Sequence, residues 1–193
     1  MKVKSFWLVA SLLGVLGFAF YKLSRFDAEE MPYETRLKDG RFELRRYPAF
    51  AVAHTGLRSG RDDSFQRLFD FISGANNRRE KIPMTTPVLF ERESGARGTM
   101  TFLMPEATAQ RGVPHPQTSE VELDLRPAAE VAVKRFGGGM REENERQALA
   151  ELRAWIESRG LVVEGEPIIA YYDSPFIPGP LRRNEAMLRI TRR

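Results

Sequence analysis

The sequence predicts an α+β domain, a curved antiparallel sheet carrying two helices, behind an amino-terminal apolar segment. Three observations predict it. Strand-like and helical runs recur in the order β-β-α-β-β, twice, offset by roughly 80 residues. The composition, 42% hydrophobic and 29% charged, supplies a real core and excludes a mainly disordered chain. And Ser5–Tyr21 is a run of 17 residues without a charge, flanked by Lys4 and Lys22.

Taken in order, Ser5–Tyr21 as a helix is about 26 Å long, close to the hydrocarbon core of a bilayer. Its flanking lysines can snorkel, and Trp7 and Tyr21 suit the two interfaces. We read residues 1–25 as an uncleaved single-pass signal-anchor. A cleaved signal peptide is the competitor, with Gly17-Phe18-Ala19 as a weak cleavage site. A signal-anchor places the domain on the non-cytoplasmic side, in the envelope of a bacterial cell. Residues 26–33 are polar and read as a tether, leaving 34–193 as the domain.

The first half opens with strands at Phe42–Tyr47 and Phe50–Thr55, on either side of Pro48. A helix follows over Asp63–Ser73. Phe65, Leu68, Phe69 and Ile72 fall at i, i+3, i+4 and i+7, so this stripe is expected to face the sheet. Asp62–Ser64 supply capping side chains and Gly74 a stop. Strands at Pro87–Glu91 and Thr99–Met104 complete the half, and Glu106–Ser119 reads as a crossover loop. The second half repeats the plan: strands at Val121–Leu125 and Val131–Phe136, a helix over Glu142–Arg159, then strands at Pro167–Tyr172 and Ala186–Thr191. Ala148, Leu149, Leu152, Trp155 and Ile156 share the apolar face of that helix. Either half alone leaves a sheet face bare, so the two are expected to pair face to face.

Composition also excludes chemistry. There are no cysteines, which removes disulfides, thiolate nucleophiles and cysteine-ligated metal. Two histidines, His54 and His115, cannot assemble a multi-histidine metal site. The net charge of +4 resides in Lys2, Lys4, Lys22 and Arg25, and the rest balances at 26 basic against 26 acidic residues. Such a body lacks the basic footprint of a nucleic-acid binder. No catalytic motif stands. Gly56–Gly60 is not a nucleophile elbow, and Gly137-Gly138-Gly139 matches no phosphate-loop pattern. Glu142, Glu143 and Glu145 read as first-turn charges that complement the helix dipole. Phe65, Phe69, Phe71, Met84, Met100, Met104 and Met140 either line a soft cleft, with Arg78, Arg79, Lys81, Arg182 and Arg183 at its mouth, or are simply core.

Two stretches weigh on that choice. Lys81-Ile82-Pro83-Met84-Thr85-Thr86-Pro87-Val88 resembles the K-I-x-M-T-x-P-V signature of the SOUL/haem-binding protein family. Tyr171-Tyr172-Asp173-Ser174-Pro175 with Arg182-Arg183-Asn184-Glu185 resembles its carboxy-terminal pattern. Phe42–Tyr47, Leu68–Asn76 and Val133–Gly138 are further matches, so the resemblance runs from Tyr33 to Thr191. It implies a distorted antiparallel β-barrel with two flanking helices, built from two pseudo-symmetric halves, that binds haem or related tetrapyrroles non-covalently beside the first helix, without turnover. The chain departs from the family at several places. Arg46 stands where some members carry a proposed iron-ligating histidine. Phe65 and Phe69 replace methionines, Asp62 replaces a basic residue, and Ala186-Met187 ends the last motif without its tryptophan.

The expected apolar wall is Phe65, Phe69, Ile72 and Met84, with Arg182 or Arg183 as propionate partners and no histidine axial ligand. The expected partners are a tetrapyrrole and, through residues 5–21, a membrane, but no nucleic acid. The alternatives are a general amphipathic-effector module and, third, a hydrolase on the same fold.

Overall fold

The structure, a computed structural model, describes residues 28–192 apart from 59–61, 93–97 and 175. The expected anchor lies outside the described residues, among which no helix is long and apolar enough to cross a membrane. In chain order the elements are β1 (Glu29–Glu30), β2 (Glu34–Asp39), β3 (Phe42–Tyr47), β4 (Phe50–Gly56), α1 (Ser64–Ile72), β5 (Thr85–Thr86), β6 (Val88–Arg92), β7 (Gly98–Leu103), α2 (Glu106–Gln110), β8 (Glu122–Arg126), β9 (Ala129–Phe136), α3 (Glu142–Ser158), β10 (Leu161–Tyr171) and β11 (Asn184–Arg192).

Nine strands form one antiparallel sheet in the order β2-β3-β9-β11-β10-β6-β7-β4-β8. From β3 to β8, exchanging the two halves reverses this order onto itself, so the repeat read from sequence is a pseudo-twofold of the sheet. The first strand of each half has crossed over: β3 pairs with β9 of the second half, and β8 with β4 of the first. The halves join edge to edge, β6 on β10, and share one inner-face core. One expectation needs correction: β2 and β8 are separate edges not paired to one another, so the sheet is not a closed barrel.

Several elements were not anticipated. β2 is a polar edge strand whose side chains are mostly exposed, held by its ladder with β3 rather than by burial. Within the expected crossover loop, Glu106–Gln110 forms the short helix α2. The expected tether is instead structured: β1 pairs in parallel with β5, and Met31 is 7% exposed in the core.

The helices share one face of the sheet. α1 packs on β4 and β7, and α3 on β9, β10 and β11. Leu68, Phe71 and Ile72 meet Ala53, Met100 and Phe102 beneath α1, while Ala148, Leu152 and Ile156 meet Ala132, Ile169, Ala186 and Leu188 beneath α3. Each such large apolar side chain contributes about 1.5–3 kcal/mol by leaving water. The other face carries its own core of Tyr47, Leu89, Leu103, Val131, Val133, Ala170 and Met187, crossed by the amino-terminal strap that holds Met31 and Tyr33.

Candidate functional site: the groove between the two helices

α1 is rotated from the expected stripe. Its buried residues are Ser64, Arg67, Leu68, Phe71 and Ile72, which leaves Phe65 and Phe69 48% and 43% exposed. Arg67 sets the rotation. Its guanidinium donates to the Gly56 carbonyl at 2.6 Å and to Thr55 Oγ1 at 3.0 Å, and it pairs with Asp63. That ties one flank of α1 to β4. Two residues away around the helix, Phe65 therefore looks toward β7, where its ring meets Phe102 edge-on at 5.5 Å between centroids. Phe65 and Phe69 stack on each other at 5.9 Å and 13°. The start of α1 is held by Asp62, which accepts bonds from the Ser64 amide (3.0 Å) and hydroxyl (2.9 Å). Gly74, at φ +121°, supplies the left-handed turn beyond its end.

Beyond β7 the sheet continues to β6, where Val88 and Phe90 are only half-buried; they and Met84 pack against the core under α1. Phe90 bridges the cores under both helices and meets Tyr171 edge-on at 5.4 Å. On the far side, Glu142, Glu145, Arg146 and Leu149 of α3 join Phe90, Pro167 and Ile169 around a cavity of about 120 Å³. Tyr171 donates to Glu145 at 2.5 Å, tying α3 to the sheet there. The candidate groove is the stretch of this face from the aromatic pair on α1, across β6, to the side of α3 that carries Leu149 and Arg146; the cavity itself is lined by β6, β10 and α3.

The expected wall is thus brought together in part. Phe65 and Phe69 are half-exposed on α1 and Met84 is half-buried against the core beneath it, whereas Ile72, 4% exposed, is part of that core. Arg182 sits in the β10–β11 loop, its Nε donating to the Ile177 carbonyl at 2.6 Å. Arg183 belongs to the opposite face. It pairs with Glu30 at 2.8 Å and Glu185 at 3.0 Å, and its guanidinium lies 3.7 Å above the Tyr172 ring.

That opposite face holds a buried polar network. Arg45, its side chain fully buried, forks onto Glu185 at 2.7 and 3.0 Å and also donates to Glu43 (2.8 Å) and the Tyr47 hydroxyl (3.0 Å). Tyr172 donates to Glu185 at 2.9 Å. Burial works to raise the Glu185 pKa, but the Arg45 hydrogen bond and the charges of Arg45 and Arg183 outweigh it and hold the carboxyl below its ordinary value. Burial pushes the Tyr47 and Tyr172 phenols well above theirs. His54 also lies on this face. On β4, Ala53 faces α1, so the strand alternation turns His54 away from the groove. His115 is exposed, its backbone bonded to Asn77. Among the described residues no cluster of His, Asp or Glu is built to hold a metal ion.

A model of the family described as SOUL heme-binding protein matches residues 28–189. The chain belongs to that family. A curated member, human Heme-binding protein 2, is 28% identical over 155 residues, covering 75% of this chain and 76% of its own. Among solved structures, the EcmrR C-terminal domain superposes with a TM-score of 0.57 at 13% identity, covering 84% of this chain and all of that one. A structure titled as a hydrolase from Listeria innocua gives 0.55 at 12% identity, covering 89% and 98%. At such identities both show the fold alone.

Of the residues along this stretch, sequence reasoning singled out neither Phe90 nor Arg146, and Val88 only as the last residue of the Lys81–Val88 motif. Only the sheet order, which puts β6 between the helices, marks them.

Proposed function

We propose that this chain is a membrane-tethered tetrapyrrole-binding protein that holds haem or a porphyrin by its flat face in the groove between α1 and α3, without turning it over. The observation that carries the reading is the stacked pair Phe65–Phe69, two large aromatics that the fold leaves half-exposed above the half-buried floor of β6.

The residues fit the ring better than its iron. With His54 on the other face of the sheet, apolar burial at about 25 cal/mol per Å² supplies most of the affinity. Arginine offers iron no free lone pair, so Arg46 does not replace a histidine ligand. Arg146 on the α3 bank is the cation for a propionate; Arg182 already donates to the Ile177 carbonyl, and Arg183 is engaged by Glu30 and Glu185. When bound, haem would supply a redox-active iron. The chain's own part is to seat the ring and exclude water from one face. Ser5–Tyr21 tethers the domain to the membrane.

The test is a titration of the full chain in detergent with haem and with metal-free protoporphyrin. The two should bind with similar affinity, the haem high-spin or weakly ligated. Phe69→Asp should abolish binding of both with the circular dichroism spectrum unchanged, and His54→Ala should change affinity by less than about threefold, under 1 kcal/mol. A low-spin Soret band lost in His54→Ala would overturn the ring-recognition mechanism.

A second reading, a binder of amphipathic effectors, draws on a separate cleft of about 330 Å³ lined by Met31, Phe50, Leu103, Met104 and Leu125, with Glu29 and Glu106 at its rim. Tetrapyrrole binding that survives Phe69→Asp would favour it.

A further inference from the structure

We infer that the paired loops at the carboxy-terminal end of β9 and between β10 and β11 seat the domain on the surface of a lipid bilayer, with Phe176 as the inserted tip. This rests on the anchor reading of Ser5–Tyr21.

Phe176 is 83% exposed, the most exposed large apolar side chain among the described residues. In the same loop Leu181 is 56% exposed, and across from it Met140 is 47% exposed. The two loops are one unit. The Gly138 amide donates to the Gly179 carbonyl at 3.0 Å, and Asn184 donates to the Gly138 carbonyl at 3.0 Å. A Cβ on Gly179 would come within 3.3 Å of the Gly139 nitrogen, so the backbones approach closer than side chains allow. Beneath the tip the loop is braced by Arg182 on the Ile177 carbonyl and by Ile177, 1% exposed. Phe176 is therefore an exposed apolar side chain next to a buried, hydrogen-bonded part of the same loop.

The place where the chain enters the domain selects the occupant. Ala28 lines one small cavity together with Asp173, Ser174 and Arg183, at the base of the same loop. From Tyr21 to Ala28 there are seven residues, which span at most about 25 Å. An anchor ending at Tyr21 thus keeps Ala28, at the base of the loop, within that distance of the bilayer. A tether so short holds the local concentration in the millimolar range, at which even weak insertion is saturated. Arg141 follows Met140 in the chain, and Arg135 lines the same cavity as Ala28. Glu142 and Glu143 follow on α3.

A chain without cysteine makes the test clean. Full-length protein carrying Phe176→Cys, Leu181→Cys, Met140→Cys or Glu157→Cys is spin-labelled and reconstituted into phosphatidylcholine vesicles with 20% phosphatidylglycerol, about one part in five. Labels at 176 and 181 should be reached better by oxygen than by a water-soluble nickel chelate. The label at 140 should be intermediate. The label at 157, about 24 Å along α3 from the start of that helix beside Met140, should be aqueous. Circular dichroism of each variant checks the fold. Protein that floats with the vesicles while 176 and 181 are as aqueous as 157 overturns the tip and leaves the anchor standing. Protein that does not float overturns both.

Discussion

Glu185 is the residue on which most of the buried charge converges. Arg45, Arg183 and Tyr172 all bond it, and none of its side chain reaches water. A buried pair of this kind adds little net stability when intact, but removing one partner strands the other, at about 3–5 kcal/mol. Glu185→Gln should therefore lower the unfolding free energy by about that amount in urea titration, far more than a surface Glu→Gln change such as Glu157→Gln. The network also sets a pH window. Because the folded-state pKa of Glu185 is depressed, its contribution is full above the ordinary carboxyl value of 4.5 and is lost as pH falls through the folded value. Because Tyr47 and Tyr172 are raised, their contribution is full below 10 and is lost as pH rises beyond it. The urea midpoint should be flat between about pH 5 and 10 and fall on both sides. In Glu185→Gln the acid limb should shrink. Persistence of the full acid limb in that variant would place the titration elsewhere.

At the scale of an element, α1 separates stability from binding by rotation about its own axis. Phe71, 1% exposed, and Phe69, 43% exposed, are two residues apart and have opposite work. Phe71→Ala should cost about 3–5 kcal/mol in denaturant unfolding and Phe69→Ala under about 1, while tetrapyrrole affinity should fall mainly in Phe69→Ala. On α3, Leu152→Ala should cost about 2–5 kcal/mol, since Leu152 has no exposed surface.

These contrasts show what the sequence carries. The face of α3 was legible because its apolar residues fall on one side and nothing competes for burial. The face of α1 was not, because five apolar residues in nine wrap most of the way round. The side that faces the sheet was settled by Arg67, a charged residue whose bonds to Thr55 and Gly56 depend on a strand eleven residues earlier. Strand order, the crossover of β3 and β8, and hence the groove over β6 are long-range pairings with no local signal. The family motifs located the fold without locating that groove.

For the molecule as a whole, the strap Glu29–Tyr33 makes the expected tether part of the domain. Its β1–β5 pairing, the Glu30–Arg183 bridge and buried Met31 fix the point at which the chain leaves. The full chain should stay in the membrane fraction through salt and alkaline extraction, and a soluble product beginning near Phe20 would show cleavage instead. Met31→Ala should destabilise by about 2–5 kcal/mol, a size no flexible tether would show.

The exchange of first strands between the halves governs how the protein is made. Phe42 of β3 waits for Lys134 of β9, and Phe50 of β4 for Arg126 of β8. A ribosome delivers the first half long before either partner exists, so that half emerges with strand edges open and with Arg45 facing no Glu185. Folding is then a post-translational event dominated by distant contacts, on the slow side for a chain of this size. Split between residues 110 and 118, the two fragments should each be unstructured alone and recover the native circular dichroism spectrum only when produced together, like the interlocked halves of a clasp.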